Sequence, residues 1–293
     1  MVADFLPLET VQLTEAESLA IAYQMRREEI STSLSPQAIS TAYVQQGKGD
    51  TPILLLHGFD SSVFEFRRLL PHLSLHQETW AVDLLGFGFT DRPADLSFTP
   101  EDIKTHLFYF WKTLIARPMV LVGASMGGAA AIDFALTYPE AVAKLVLIDS
   151  AGFAKGSAIG KFLVPPLAYL ATEFLRQPRV RQQVSLKAYC DRKFVTPDAQ
   201  VCAALHLALP RWSQALIAFT KSGGYTFLSD RISEIQKPTL ILWGERDRIL
   251  GTQDAERFRQ AIPESQLVWI DRCGHVPHLE KPEQAGQRIL AFV

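Results

Sequence analysis

The sequence predicts an α/β fold: a mostly parallel central sheet flanked by helices, with a helical segment inserted late in the chain. Three observations predict it. Short apolar runs recur at 53–56, 79–83, 119–122, 145–148, 239–243 and 267–270, continuously apolar as strands buried on both faces are. Helical patterns such as 101–115 and 129–138 lie between them, and strand–helix alternation builds parallel sheets. Between 152 and 233 the alternation gives way to a stretch rich in Leu, Ala and aromatic residues. An insertion placed there projects above the strand ends as a cap. The expected organisation is therefore a core of 1–151, a helical cap of 152–233 and a second core part of 234–293.

In chain order, Thr14 and Glu17 read as a capping box, and Leu19, Ala22, Tyr23 and Met25 as an apolar stripe, so a helix is expected over 14–30. Ser35-Pro36 breaks it, a strand follows at 38–45, and Gly47-Lys48-Gly49 makes a turn. The first residues show no basic region leading into an apolar core, so neither a secretory signal nor a transit peptide is expected. Segment 158–175 is the most membrane-like, but Lys161, Glu173 and Pro165-Pro166 unfit it for a span. Attachment to a membrane from one side stays open.

Composition narrows the function. Of 293 residues, 48% are hydrophobic and 20% charged, which excludes a disordered chain. With 29 Lys+Arg against 31 Asp+Glu the net charge is −2, which gives no global case for a nucleic-acid partner. Cys190, Cys202 and Cys273 are scattered and odd in number, so reduced thiols are expected, not a disulfide framework. The histidines lack partners at metal-ligand spacing, and Gly86-Phe87-Gly88 lacks the rest of a dinucleotide fingerprint. No metal and no cofactor are expected.

The sharpest motif is Gly123-Ala124-Ser125-Met126-Gly127, between an expected strand and an expected helix. Gly-x-Ser-x-Gly in that setting is a nucleophile elbow, a turn so tight that the serine backbone is strained and its hydroxyl stands clear of the sheet. Serine needs a base, and His275, after the last strand, is preferred to its neighbour His278. The base needs an orienting carboxylate. Asp247 fits, following strand 239–243; Glu245 and Asp149 are its rivals. The order Ser125, Asp247, His275 matches that of one hydrolase class. An oxyanion hole needs two N–H groups, assigned to Met126 and to Phe59 in His57-Gly58-Phe59-Asp60. His57 is read as shaping that loop, and Asp83 as fixing a loop below the site.

On these motifs the chain resembles α/β-hydrolases with a helical cap over nearly its full length. It is most similar to the chlorophyll dephytylases of plants and cyanobacteria. The segments that carry this are His57 to Ser62, Glu78 to Phe89, His106 to Lys112, Arg117 to Gly123, Ser222-Gly223-Gly224-Tyr225, 239–245 and 273–282. The resemblance implies a serine esterase releasing phytol and chlorophyllide from chlorophyll. It also implies a cytoplasmic, cyanobacterial-type protein, with a peripheral place on the thylakoid membrane open. The plant elbow reads more like Gly-Pro-Ser-Leu-Gly, a difference close to the ester. An apolar passage is expected from cap residues Phe153, Phe162, Leu163, Leu167 and Tyr169. Two alternatives stand beside this reading: a cap-domain hydrolase of another lipid ester or a diketone C–C bond, and a non-catalytic ligand-binding protein on the same fold.

Overall fold

A computed structural model describes residues 3–153 and 167–293. Eight strands form one sheet: β1 (Arg26–Ile30), β2 (Ile39–Gln46), β3 (Ile53–Leu56), β4 (Thr79–Val82), β5 (Met119–Ala124), β6 (Val142–Ile148), β7 (Thr239–Gly244) and β8 (Ser265–Ile270). Their order is β1-β2-β4-β3-β5-β6-β7-β8. The β1–β2 and β2–β4 pairs are antiparallel and all others parallel. The helices are α1 (Ala16–Gln24), α2 (Leu70–Ser74), α3 (Pro100–Leu114), α4 (Met126–Thr137), α5 (Leu167–Arg176), α6 (Pro178–Ala188), α7 (Pro197–Ala204), α8 (Trp212–Ser222), α9 (Gln253–Ala261), α10 (Pro277–Glu280) and α11 (Pro282–Phe292).

The central strands β3, β4, β5 and β7 are buried on both faces, which is why they read as apolar runs. Successive residues of β3 enter opposite cores: Leu54 and Leu56 pack toward α3 and α4, Ile53 and Leu55 toward α1, α2 and α11. On the first face α3 contributes Ile103, Leu107 and Phe110, spaced for one side of a helix. Its start is fixed by a capping box in which Thr99 Oγ1 accepts from the Asp102 N–H at 3.2 Å and Asp102 Oδ2 accepts from the Thr99 N–H at 3.1 Å. The parallel strands end on one edge, and the loops after β3, β5, β6, β7 and β8 gather there. Helices α5 to α8, between β6 and β7, lie beside those loops.

The N-terminal region departs from expectation. Helix α1 ends at Gln24, Met25 turns to extended backbone (ψ 133°), and Arg26–Ile30 becomes the edge strand β1. Arg and Glu are good helix formers, but pairing with β2 satisfies this backbone and buries Ile30, and the other side chains of β1 hold charge on a sheet edge. The Thr14–Glu17 capping box does not form. Instead Asp198 of α7 caps the helix from a distance, its Oδ2 accepting from the Thr14 and Glu15 N–H groups at 2.6 and 2.9 Å. Among the described residues, no helix is long and apolar enough to cross a membrane.

Candidate active site

Strand β5 runs into α4 through Ser125, whose φ of 51° and ψ of −118° few side-chain-bearing residues adopt. Such a conformation costs about 1–3 kcal/mol and persists only where its surroundings over-determine it. Here they do. The Ser125 N–H donates to Ile148 O at 3.0 Å, and its carbonyl accepts from Gly128 N at 3.0 Å and Ala151 N at 2.9 Å. The flanking glycines are steric necessities. A Cβ on Gly123 would stand 2.2 Å from Gly127 O, and one on Gly127 would stand 2.1 Å from Leu56 O.

Two loops bring up a carboxylate and an imidazole. Asp247, three residues past β7, accepts at Oδ1 from the Ile249 and Leu250 N–H groups at 2.7 and 3.2 Å. Its Oδ2 lies 2.9 Å from His275 Nδ1. The His275 N–H donates to Ala188 O at 2.7 Å, tying the base loop to the end of α6. With Nδ1–H directed at a carboxylate, Nε2 is the free acceptor of that ring. His275 and Ser125 border the same cavity, of about 300 Å³. Of the rivals, two lie apart from this pair and Asp149 lies beside it. His278 Nε2 lies 3.1 Å from Glu65 Oε1, and Glu245 is exposed. Asp149 accepts at Oδ1 from the Gly244 N–H at 3.0 Å. Burial, then the neighbouring Asp247 charge, holds the Asp149 carboxyl well above the usual carboxylate range. Asp149, Asp247 and His275 are the group of metal-capable side chains gathered most closely among the described residues, and the Asp247–His275 contact is accounted for by hydrogen bonding.

The loop after β3 closes the other side of the cavity. His57 is buried and neutral, pushed down to about 4 by burial. Its Nδ1–H donates to Gly58 O at 2.8 Å and its Nε2 accepts from the Leu84 N–H at 3.1 Å. Asp83 accepts from the Val63 and Phe89 N–H groups at 2.6 and 2.7 Å, joining the loops that follow β3 and β4. Glu65 Oε2 accepts from the Gly58 N–H at 2.9 Å. Burial pushes the Glu65 carboxyl up, but His278 outweighs it by hydrogen bond and charge, bringing the group down to about 2. A Cβ on Gly58 would come within 3.4 Å of both Ser125 Cβ and Glu65 Oε2. The loop therefore passes close over the serine. The Met126 N–H, at the first position of α4, has no acceptor within its helix.

The cavity wall corrects one expectation. Phe153, Leu167 and Tyr169 do not border it. Phe153 packs on Phe258 with ring centroids 4.7 Å apart and under the Arg257 guanidinium, while Leu167 and Tyr169 of α5 face solvent. Phe162 and Leu163 lie outside the described residues. The wall is built instead by Val184 and Ala188 of α6, Tyr189, and Ala199, Cys202 and Ala203 of α7. Small and mixed residues of this kind carry no apolar signal in sequence. Burial pushes the Cys202 thiol up to about 11, so it is no thiolate at neutral pH. Glu65 and the role of Asp60 are not evident from the sequence; Glu65, an acidic residue inside the apolar run Val63-Phe64-Glu65-Phe66, carries a signal, whereas Asp60, followed by Ser61-Ser62, looks like an ordinary turn residue.

A strained serine on a strand-to-helix turn, with a carboxylate-held imidazole across a cavity, defines a hydrolase class, and comparison with known proteins agrees. The family model described as alpha/beta hydrolase fold matches residues 51–282, and the chain belongs to that family. Among curated relatives, the alpha/beta hydrolase domain-containing protein VTE7 of Arabidopsis thaliana is 37% identical over 83% of this chain and 74% of its own. The 2-hydroxy-6-oxo-6-(2'-aminophenyl)hexa-2,4-dienoic acid hydrolase of Metapseudomonas resinovorans is 30% identical over 87% of this chain and 88% of its own. Among solved structures, a thermophilic esterase from Thermogutta terrifontis superposes with a TM-score of 0.76 at 26% identity, covering 91% of this chain and 97% of that one.

Proposed function

We propose that the protein is a serine carboxylic-ester hydrolase with Ser125, His275 and Asp247 as its catalytic triad. The observation that carries the reading is the convergence on one cavity of a strained Ser125 and a His275 whose Nδ1 is held at 2.9 Å by Asp247. Ser125 Oγ attacks the ester carbonyl as His275 Nε2 takes its proton. Asp247 keeps the imidazole in the Nδ1–H tautomer and stabilises the imidazolium. The Phe59 and Met126 N–H groups receive the oxyanion. His275 then protonates the departing alcohol, and water activated by the same nitrogen releases the acid from Ser125.

The substrate we propose is the phytyl ester of chlorophyll, cleaved to chlorophyllide and phytol. Its support is the run of sequence segments shared with chlorophyll dephytylases, and a largely apolar cavity. At about 300 Å³ the cavity is at the small end for ligand sites, so it would enclose the ester and a stretch of chain, with the chlorin ring outside. Leu167, Leu170 and Phe174 on one exposed face of α5 suit peripheral contact with the lipid from which such a substrate would come. Purified protein and its Ser125→Ala variant, incubated with detergent-solubilised chlorophyll, test this by chromatography. Chlorophyllide from the wild type alone is the expected result. No chlorophyllide, with a short-chain ester still cleaved, would discard the pigment and keep the triad.

A second reading is hydrolysis of a C–C bond in a diketone-type substrate. The relative that favours it is the dienoic acid hydrolase, matched over 87% of this chain. Turnover of a ring-cleavage product with none on esters would select it.

A further inference from the structure

Three separate elements of the segment between β6 and β7 reach down to one carboxylate. Asp60 Oδ1 accepts from Trp212 Nε1 of α8 at 2.7 Å and from His206 Nε2 at 3.1 Å. Asp60 Oδ2 is paired with Arg181 of α6, whose other nitrogen donates to the Asp60 carbonyl at 3.3 Å and to Ala203 O. All four side chains are largely buried. Asp60 itself sits at a φ of 51°, in the left-handed region, which Asp tolerates better than most residues. It directly follows Phe59, the residue proposed to supply one oxyanion N–H, and both border the cavity of Ser125. The Phe59 ring repeats the link, with its centroid 6.0 Å from that of Phe219 on α8. On the other side, Glu65 fixes the Gly58 N–H from the core. The loop is thus held by the core at Gly58 and by the overlying helices at Asp60, with Phe59 between the two anchors.

We propose that Asp60 is a positioning residue: it couples the seating of α6, the 205–208 turn and α8 over the sheet to the placing of the Phe59 N–H, so that the oxyanion hole is complete only while those helices are docked. This rests on the ester-hydrolase reading for its catalytic half and on geometry alone for its structural half. Burial pushes the Asp60 carboxyl up, but His206, Arg181 and Trp212 outweigh it and bring the group down to about 2. The carboxylate is therefore charged at any working pH, and the latch stays set. A purely structural anchor would also lose stability on mutation, so the two roles must be separated by what happens when stability is restored. Removing Asp60 strands a buried Arg181, and removing both takes that penalty away.

The test compares wild type, Asp60→Asn, Arg181→Met and the double variant, using p-nitrophenyl butyrate kinetics, thermal melts and backbone hydrogen exchange. Asp60→Asn should lower kcat at least tenfold with KM within twofold, and speed exchange in 57–62 and 205–222 together. In the double variant Tm should recover while kcat stays low. Recovery of kcat in step with Tm, or wild-type kcat in Asp60→Asn, would overturn the proposal. Exchange needs no turnover. If the wild type cleaves no ester but exchange rises as described, the structural half stands and the catalytic half falls with the ester-hydrolase reading. Unchanged exchange would overturn the latch itself.

Discussion

Replacing Gly127 by Ala adds one methyl group where none fits. The new Cβ would stand 2.1 Å from Leu56 O and 2.6 Å from His57 O. Even the tightest Cβ contacts in proteins stay above about 3.0 Å, so α4 must retreat from β3 by close to an ångström. Both carbonyl oxygens are backbone, and neither can rotate aside. Overpacking of this kind costs typically about 1–3 kcal/mol, and the moving helix carries Ser125 and Met126 at its N-terminus. Misplacement by about 1 Å costs on the order of 10²-fold in turnover. We therefore expect Gly127→Ala to lower kcat on p-nitrophenyl butyrate by roughly that factor and to lower Tm by several degrees. Gly251→Ala is the control. Gly251 has a φ of +78° but nothing within 4 Å of an added Cβ, so it should cost about 1 kcal/mol of backbone strain and leave kcat within twofold. Wild-type kcat and Tm in Gly127→Ala would refute the steric account of the elbow.

Three further predictions follow from the site and its surroundings. Asp247→Asn should reduce kcat by about 10⁴-fold through the wrong imidazole tautomer, whereas Asp149→Asn, which keeps an acceptor for the Gly244 N–H and leaves the Asp247–His275 bond in place, should cost far less; equal losses in steady-state kinetics would contradict this assignment of the two carboxyls. Ala199→Phe should raise KM for long-chain esters by narrowing the cavity, while Phe153→Ala should lower Tm and leave KM unchanged; the opposite pattern would restore Phe153 to the substrate passage. His106, pulled down to about 4 by burial, is neutral when folded and takes up a proton on unfolding below its ordinary value of about 6.5. Its contribution is complete above that pH and is lost as pH falls toward 4, by up to about 3 kcal/mol. Denaturant midpoints of wild type and His106→Gln should therefore differ in slope between pH 7 and 5; parallel pH dependence would contradict this.

Most of the sheet was legible in the sequence because burial on both faces leaves a run with no competing pattern, as in Ile53–Leu56. The elbow was legible for a related reason: its five residues are contiguous, and Gly123 is required by its own neighbour Gly127, although the contact that requires Gly127, with Leu56 O of β3, lies far off in sequence. Residues 26–30 were misread because Arg-Arg-Glu-Glu-Ile obeys helix propensity locally, and only the β2 partner makes it a strand. The cap of α1 was invisible for the same reason: Asp198 reaches it across 184 residues of sequence. The cavity wall was the least legible part. Aromatic residues such as Phe153 draw attention but fill ordinary packing positions, whereas a wall needs room, and Ala188, Ala199 and Ala203 provide it by being small. Asp60 was read as part of a loop motif, and nothing in its neighbours names Arg181, His206 and Trp212 as its partners.

Everything proposed for the site depends on Ser125 being a nucleophile activated by His275. Treating the intact protein with a fluorophosphonate and mapping the adduct by mass spectrometry tests it most directly. One adduct is expected, on Ser125, absent in Ser125→Ala and formed far more slowly in His275→Ala. A protein that stays unmodified, or that is modified elsewhere with Ser125 free, would contradict it.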